Sequence, residues 1–126
     1  MKRQPRSHSR LQSFRHAFAG WWYVLRTQQN AWIHFVATLV VILLGILFTL
    51  RAMEWAVLAV AIGLVWTAEF VNTALEAVVD LASPEQNPLA RVGKDVGAAA
   101  VLISAAIAVI VGLLIFGPPI WALLFE

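Results

Sequence analysis

The sequence predicts an all-α integral membrane protein: three transmembrane helices preceded by an amphipathic helix lying on the membrane surface. Three observations carry this. Of 126 residues, 61% are hydrophobic and only 13% charged, against about 25% charged in a typical soluble domain. Three apolar runs are each long enough to cross a bilayer, which takes about 20 helical residues. None of them alternates as a barrel strand would. A soluble fold of this length, expected to be one domain, has too little interior to hide so much apolar surface. An ordinary globular enzyme and a disordered chain are therefore excluded, and the lack of cysteine excludes a disulfide scaffold. Residues 1–126 are read as one membrane domain.

The first element, about residues 9–27, differs from the rest. Leu11, Phe14, Phe18, Trp21 and Leu25 recur every three or four positions, with Arg10, Arg15, His16 and Arg26 interleaved. That pattern suits a helix with rings toward acyl chains and arginines toward anionic headgroups. A cleaved signal peptide fits poorly, because the apolar run begins late, is too long and lacks a cleavage pattern. The transmembrane helices follow at about 31–50, 55–80 and 96–116, the last expected to stop at Gly117-Pro118-Pro119. Trp32, Trp55 and Trp121 lie at segment ends, where indoles favour the headgroup level. Trp66, in mid-helix, reads as packing or lipid contact, and His34 as a satisfied interfacial histidine.

Orientation follows from Lys and Arg. Lys2, Arg3, Arg6, Arg10, Arg15 and Arg26 precede the first span, Arg91 and Lys94 lie between the second and third, and Arg51 alone falls on the other side. The positive-inside rule then puts the N-terminus and the 81–95 segment in the cytoplasm and the C-terminus outside. The chain is expected in a bacterial inner membrane, spanning it several times.

Chemistry concentrates on the second span. At about 100° per residue, Glu69, Asn72, Glu76 and Asp80 fall near 0°, 300°, 340° and 20°, one narrow stripe. From Trp55 to Asp80 the helix is roughly 39 Å long, more than the ~30 Å hydrocarbon core, so Asp80 emerges and Glu76 lies near the interface. Glu69 sits roughly 10 Å deeper, where a carboxylate costs roughly 3 kcal/mol. Polar side chains in membranes also serve as interhelical glue, but two glutamates and an asparagine on one stripe point to function. Arg91, Lys94 and Asp95 follow at helical spacing. A lysine beside carboxylates suits an anion with a metal, although a charge pair anchoring the helix explains it equally. Gly97-Ala98-Ala99-Ala100 offers a smooth surface for close helix approach. There is no phosphate-binding glycine loop or soluble-kinase signature, no cysteine-based zinc site, and no expectation of nucleic acid as a partner.

The stretch Glu69-x-x-Asn72-Thr73-Ala74-x-Glu76-x-x-Val79-Asp80, then Pro88-Leu89-Ala90 and Lys94-Asp95-x-x-Ala98-Ala99-Ala100-Val101, resembles the prokaryotic diacylglycerol kinase family, which includes undecaprenol kinases. Ser13-Phe14, Ala17-Phe18, Gly20, Asn30 and Ile33-His34 extend the resemblance over about residues 12–115. The Ser83-Pro84-Glu85 and Asn87-Pro88-Leu89-Ala90 context, with Ile33-His34, looks more like the undecaprenol branch. The resemblance implies a homotrimer with composite active sites, ATP and Mg²⁺ as cofactors, and a lipid alcohol as acceptor, undecaprenol favoured over diacylglycerol. It implies Glu69 as general base, Asn72 as an essential site residue, Glu76 as metal ligand, and Lys94 and Asp95 as the nucleotide-binding pair; Glu76 and Asp80 are added to the phosphate-binding set. A partly desolvated carboxylate at 69 is a better base. One departure stands out: where the family commonly has a metal-binding glutamate before the first span, this chain has Gln28, which offers an oxygen but no charge. The rival reading from another class is a small proton- or cation-coupled transporter, which explains Glu69 and Glu76 but leaves Lys94-Asp95 without a role.

Overall fold

The computed structural model describes residues 10–85 and 87–125. Lys2, Arg3, Arg6 and the expected helix start at Ser9 lie outside them. Four helices follow in order: α1 (Arg10–Thr27), α2 (Gln29–Leu47), α3 (Ala52–Ala82) and α4 (Pro88–Phe125), with no strand among the described residues. The last three are long and apolar enough to cross a membrane.

α1 and α2 are separated by one residue. Gln28 takes an extended conformation (φ −107°, ψ 115°). Just before it, the Thr27 hydroxyl donates back to the Tyr23 carbonyl at 2.8 Å, a local bond that competes with the regular ladder and bends helices. The break turns the chain and leaves the Gln28 side chain facing α3.

α2 ends three residues before the expected Leu50. Thr49 adopts a left-handed conformation (φ 49°); the Thr49 amide donates to the Ile46 carbonyl at 3.2 Å and the Leu50 amide to the Gly45 carbonyl at 3.1 Å. This is the double bond of a Schellman stop, made here with a β-branched residue where glycine is usual. The chain re-enters α3 at once: the Glu54 carboxylate accepts the Arg51 backbone amide at 2.8 Å, satisfying a donor ahead of the first turn. The Trp55 indole packs against Gly45, where a Cβ would come within 2.5 Å of the ring. Trp55 therefore packs helix to helix as well as marking a segment end.

α4 departs from the expected 96–116 at both ends. It begins at Pro88, because Asn87 is an N-cap whose side-chain oxygen accepts the Leu89 amide at 2.8 Å and proline at the first helical position loses no needed bond. It also runs through Pro118 and Pro119 to Phe125, correcting the expected stop at Gly117. Proline's fixed φ is helical and only its amide is missing, so an apolar segment does better to continue the helix than to leave six further amides unbonded.

α3 is the hub. Its buried residues, Leu58, Ala61, Val65, Trp66, Glu69, Asn72 and Thr73, form a single stripe at three- and four-residue spacing. Along most of its length that stripe packs on α4, which answers with Gly97, Val101 and Ser104. Gly97 sits directly on Asn72, and a Cβ there would meet the Asn72 oxygen and come within 3.1 Å of Leu75. Ala98, Ala99 and Ala100 are exposed, so Gly97 alone provides the close approach. Besides the Gly45–Trp55 contact, α2 meets α3 over its first ten residues. There the Trp66 indole donates to the Thr38 hydroxyl at 3.2 Å, and Val24, Ala31 and Trp66 form a small core with Leu25, Phe35, Ile62 and Phe70 around it. Trp21 of α1 joins through Trp66 and Phe70, with ring centroids 4.6 and 4.8 Å apart. Trp66 is therefore a packing residue. Leu11, Phe14 and Phe18 of α1 and the outer faces of α2 and α4 expose large apolar side chains, surface that water does not tolerate in such extent.

Candidate active site

The packing stripe of α3 changes character after Trp66. From Glu69 onward its inward positions are polar, and the structure gathers them around Glu76. The Asn72 amide donates to Glu76 Oε1 at 3.1 Å. The Gln28 amide, arriving from the α1–α2 break, donates to Glu76 Oε2 at 3.1 Å. One carboxylate thus has each oxygen held by a neutral amide, a link between segments 48 residues apart. Asn72 is itself buried, and its Oδ1 atom, pressed against Gly97, has no hydrogen-bond donor.

Glu69 lies two turns deeper and is only 2% exposed. Its backbone carbonyl accepts the Thr73 hydroxyl at 2.8 Å. Its carboxylate takes part in no hydrogen bond or ion pair among the described residues. It borders a cavity of about 300 Å³ between α2, α3 and α4, with His34, Asn72 and Glu76 on the polar side and Val101, Leu102 and Ala105 on the apolar side. A buried, unpartnered carboxylate opening into a half-apolar cavity is suited to accept a proton from a weakly polar guest.

Beyond Glu76 the stripe reaches the surface. Asp80 is exposed and forms an ion pair with Lys94 at 2.5 Å across the α3–α4 connection. The pair borders an open groove of about 560 Å³ that also includes Ser83, Asn87 and Arg91. The inner cavity and the groove follow one another along α3, with Glu76 lining the first and Asp80, one helical turn on, the second.

Of the residues singled out from the sequence, Gln28, Glu69, Asn72 and Glu76 meet at the cavity, and Asp80 and Lys94 at the groove. Asp95 is not brought to either. It is exposed and faces Arg91 of its own helix at 3.9 Å, a solvent-screened pair of little energetic weight. His34 was missed. Read as a satisfied interfacial histidine, it instead lines the cavity beside Glu69. Asn30, four residues earlier, lines it too, and that spacing on one helix face was the available signal.

Fold and site together define a membrane-embedded helical protein in which an intramembrane carboxylate is followed along one helix by a lysine-bearing surface groove, an arrangement suited to phosphoryl chemistry at a membrane surface. The chain belongs to the prokaryotic diacylglycerol kinase family, whose sequence pattern matches residues 15–116. It is 41% identical over 108 residues to the undecaprenol kinase of Bacillus subtilis (strain 168), covering 86% of this chain and 88% of that protein. It is 44% identical over 115 residues to the diacylglycerol kinase of Synechocystis sp. (strain ATCC 27184 / PCC 6803 / Kazusa), covering 90% of this chain and 66% of that one. With the diacylglycerol kinase of Escherichia coli (strain K12) it shares 37% identity over 75 residues, 60% of this chain and 62% of that protein. The relatives are phosphotransferases, and the transporter reading has no counterpart among them.

Proposed function

We propose that this chain transfers the γ-phosphate of ATP to the hydroxyl of a membrane lipid alcohol, undecaprenol in preference to diacylglycerol. The observation that carries the proposal is the Glu69 carboxylate, buried without a partner in a cavity followed along α3 by the Lys94 groove. The acceptor enters laterally, its hydrocarbon against Val101, Leu102 and Ala105 and its hydroxyl at Glu69. Glu69 takes the hydroxyl proton as the oxygen attacks the γ-phosphorus, and the bond to the departing ADP oxygen breaks. Lys94 leaves Asp80 to offset phosphate charge. The lean toward undecaprenol rests on the relative matched over most of both lengths and on the Ile33-His34 and Asn87-Pro88 contexts.

The donor set fits Mg²⁺. Glu76 offers two carboxylate oxygens, with carboxamides at Gln28 and Asn72 beside it and an Asn72 oxygen that lacks a donor. The described residues include no group of three or more acidic or histidine side chains placed for a metal, so phosphate and water would complete the shell, as is usual for this ion. When bound, Mg²⁺ neutralises charge on the phosphates. Gln28 and Asn72 keep the Glu76 carboxylate in place.

α1 rests on the cytoplasmic leaflet, with Leu11, Phe14 and Phe18 in the acyl boundary and Arg10, Arg15 and Arg26 at anionic headgroups. The exposed apolar faces of α2 and α4 are covered by lipid and by neighbouring copies in a homotrimer, which would also bring a partner's charges to Asp95. The experiment is transfer of labelled γ-phosphate in mixed micelles, with undecaprenol and diacylglycerol supplied separately and Glu69→Gln as the blank. Labelled lipid above the blank is expected, with more from undecaprenol. Absence of labelled lipid from folded protein at high Mg²⁺ would overturn the reading.

A further inference from the structure

All seven glycines of the chain lie within helices, where glycine is the poorest former after proline. At Gly20, Gly63, Gly112 and Gly117 a Cβ would meet nothing within 4 Å, and at Gly93 it would make ordinary contact with Val79 at 3.9 Å. Space demands glycine at only two positions, Gly45 beneath the Trp55 ring and Gly97. What Gly97 makes room for is the polar stripe of α3. Two of the three atoms nearest its Cβ position belong to Asn72: Oδ1, which the Cβ would overlap, and Cγ at 3.4 Å. The third is Leu75 Cδ2 at 3.1 Å. The residues that α4 buries one and two turns further on, Val101 and Ser104, carry side chains, so the helix is bare at Asn72 and not throughout.

Asn72 cannot make way and keep its bond. The residue is only 8% exposed, and its amide donates to Glu76 Oε1 at 3.1 Å. Turning the amide over would set its oxygen against the Glu76 carboxylate, acceptor against acceptor. Swinging the side chain off α4 would break the bond outright. Oδ1 already goes without a donor, so this orientation is kept for what Nδ2 does at Glu76. We infer that Gly97 is a positioning residue of the site: its missing Cβ lets Asn72 stand with its amide on Glu76, and α4 thereby sets the carboxylate through Asn72. The inference rests on the lipid kinase reading for its catalytic consequence, whereas the Gly97–Asn72 contact does not.

Gly97→Ala adds one carbon and favours the helix. Phosphate transfer in mixed micelles is expected to fall roughly 10–100-fold, the usual cost of disturbing a group that orients a functional side chain. Because Glu76 is the residue disturbed, the Mg²⁺ needed for half-maximal rate should rise while KM for the lipid stays unchanged. Gly112→Ala, on the same helix with open space around it, should keep the wild-type rate. Equal losses from the two variants, or a Gly97→Ala protein with wild-type rate and Mg²⁺ requirement, would overturn the inference. Leu75→Ala separates the two contacts: if it restores Gly97→Ala, the Cβ acts on packing alone and the inference falls; no restoration is expected.

A second readout needs no turnover, the melting temperature of detergent-solubilised protein in a double-mutant cycle with Asn72→Ala. Gly97→Ala should lower it in the wild-type background and leave it unchanged or raise it in the Asn72→Ala background. Should Gly97→Ala alone fail to fold, recovery of folding in the double variant supports the coupling and continued failure overturns it. Equal shifts in the two backgrounds overturn it as well. A wild-type protein that labels no lipid sinks the kinase reading, while the cycle still decides whether Gly97 acts through Asn72.

Discussion

The two halves of α3 use one stripe for different ends. In the N-terminal half, Leu58, Ala61, Val65 and Trp66 turn apolar surface toward α2 and α4. In the C-terminal half, Glu69, Asn72 and Thr73 occupy the same inward face and are equally buried. Burial is therefore not what separates structure from site. What separates them is whether a buried group's bonding needs are met: Trp66 has its donor satisfied by Thr38, whereas Asn72 Oδ1 has no donor and the Glu69 carboxylate, on the cavity wall, makes no hydrogen bond or ion pair among the described residues. Unmet need in a fold that could have used leucine is the physical ground for the site proposed above.

The sharpest way to break this comparison is to neutralise one residue from each half. Glu69→Gln should lower phosphate transfer by about 10²–10⁴-fold, the span expected for a lost general base, with melting temperature unchanged or higher. Leu58→Ala should do the opposite, costing about 2–5 kcal/mol of stability as a cavity forms while activity per folded molecule is kept. An active Glu69→Gln protein, or a Leu58→Ala protein that is stable but inactive, would erase the distinction between the halves.

The boundary between them can be probed at Gly97, where α4 approaches Asn72. Gly97→Val is expected to push Asn72 aside and cost about 1–3 kcal/mol from overpacking, seen as a lower melting temperature together with weaker activity. A loss of stability with undiminished turnover would show that Asn72 need not be held.

Gln28→Glu sharpens the polar half further. It replaces an amide donor to Glu76 with a second negative charge, so the pair needs a cation. The expected result is a several-fold lower Mg²⁺ requirement for half-maximal rate, and a melting temperature that falls on chelation. Mg²⁺ dependence identical to wild type would remove position 28 from the metal's surroundings. The smallest effect belongs to the apolar end. Thr49→Gly relieves a left-handed β-branched residue and should stabilise the fold by about 0.5–1 kcal/mol without altering phosphate transfer. A destabilised variant would mean that the Thr49 side chain earns its conformation through contacts of its own.

Much of this was legible beforehand, for physical reasons. Helix in a bilayer is dictated by backbone bonding, so long apolar runs suffice to place three spans. Register on a helix follows from its period, so Glu69, Asn72, Glu76 and Asp80 could be put on one face before any coordinates. The C-terminal limit of α4 was not legible, because Gly117-Pro118-Pro119 is a helix stop in water but not in an apolar segment whose amides have no other partners. Its start was legible in Asn87-Pro88, a capping residue followed by a first-turn proline.

Composition, period and local capping thus determined the helices and which of their faces carry charge. Only tertiary structure decided which faces meet. The Gln28–Glu76 bond joins segments far apart in sequence, and the place of His34 on the wall of the Glu69 cavity depends on how α2 docks through Thr38 and Trp66. Which of Lys94 and Asp95, about 100° apart on α4 by helix period alone, meets α3 is likewise decided by how α3 and α4 pack. Neighbourhood along a chain obeys local geometry, whereas neighbourhood across helices is set by side-chain packing, and the catalytic arrangement proposed here depends on the second kind.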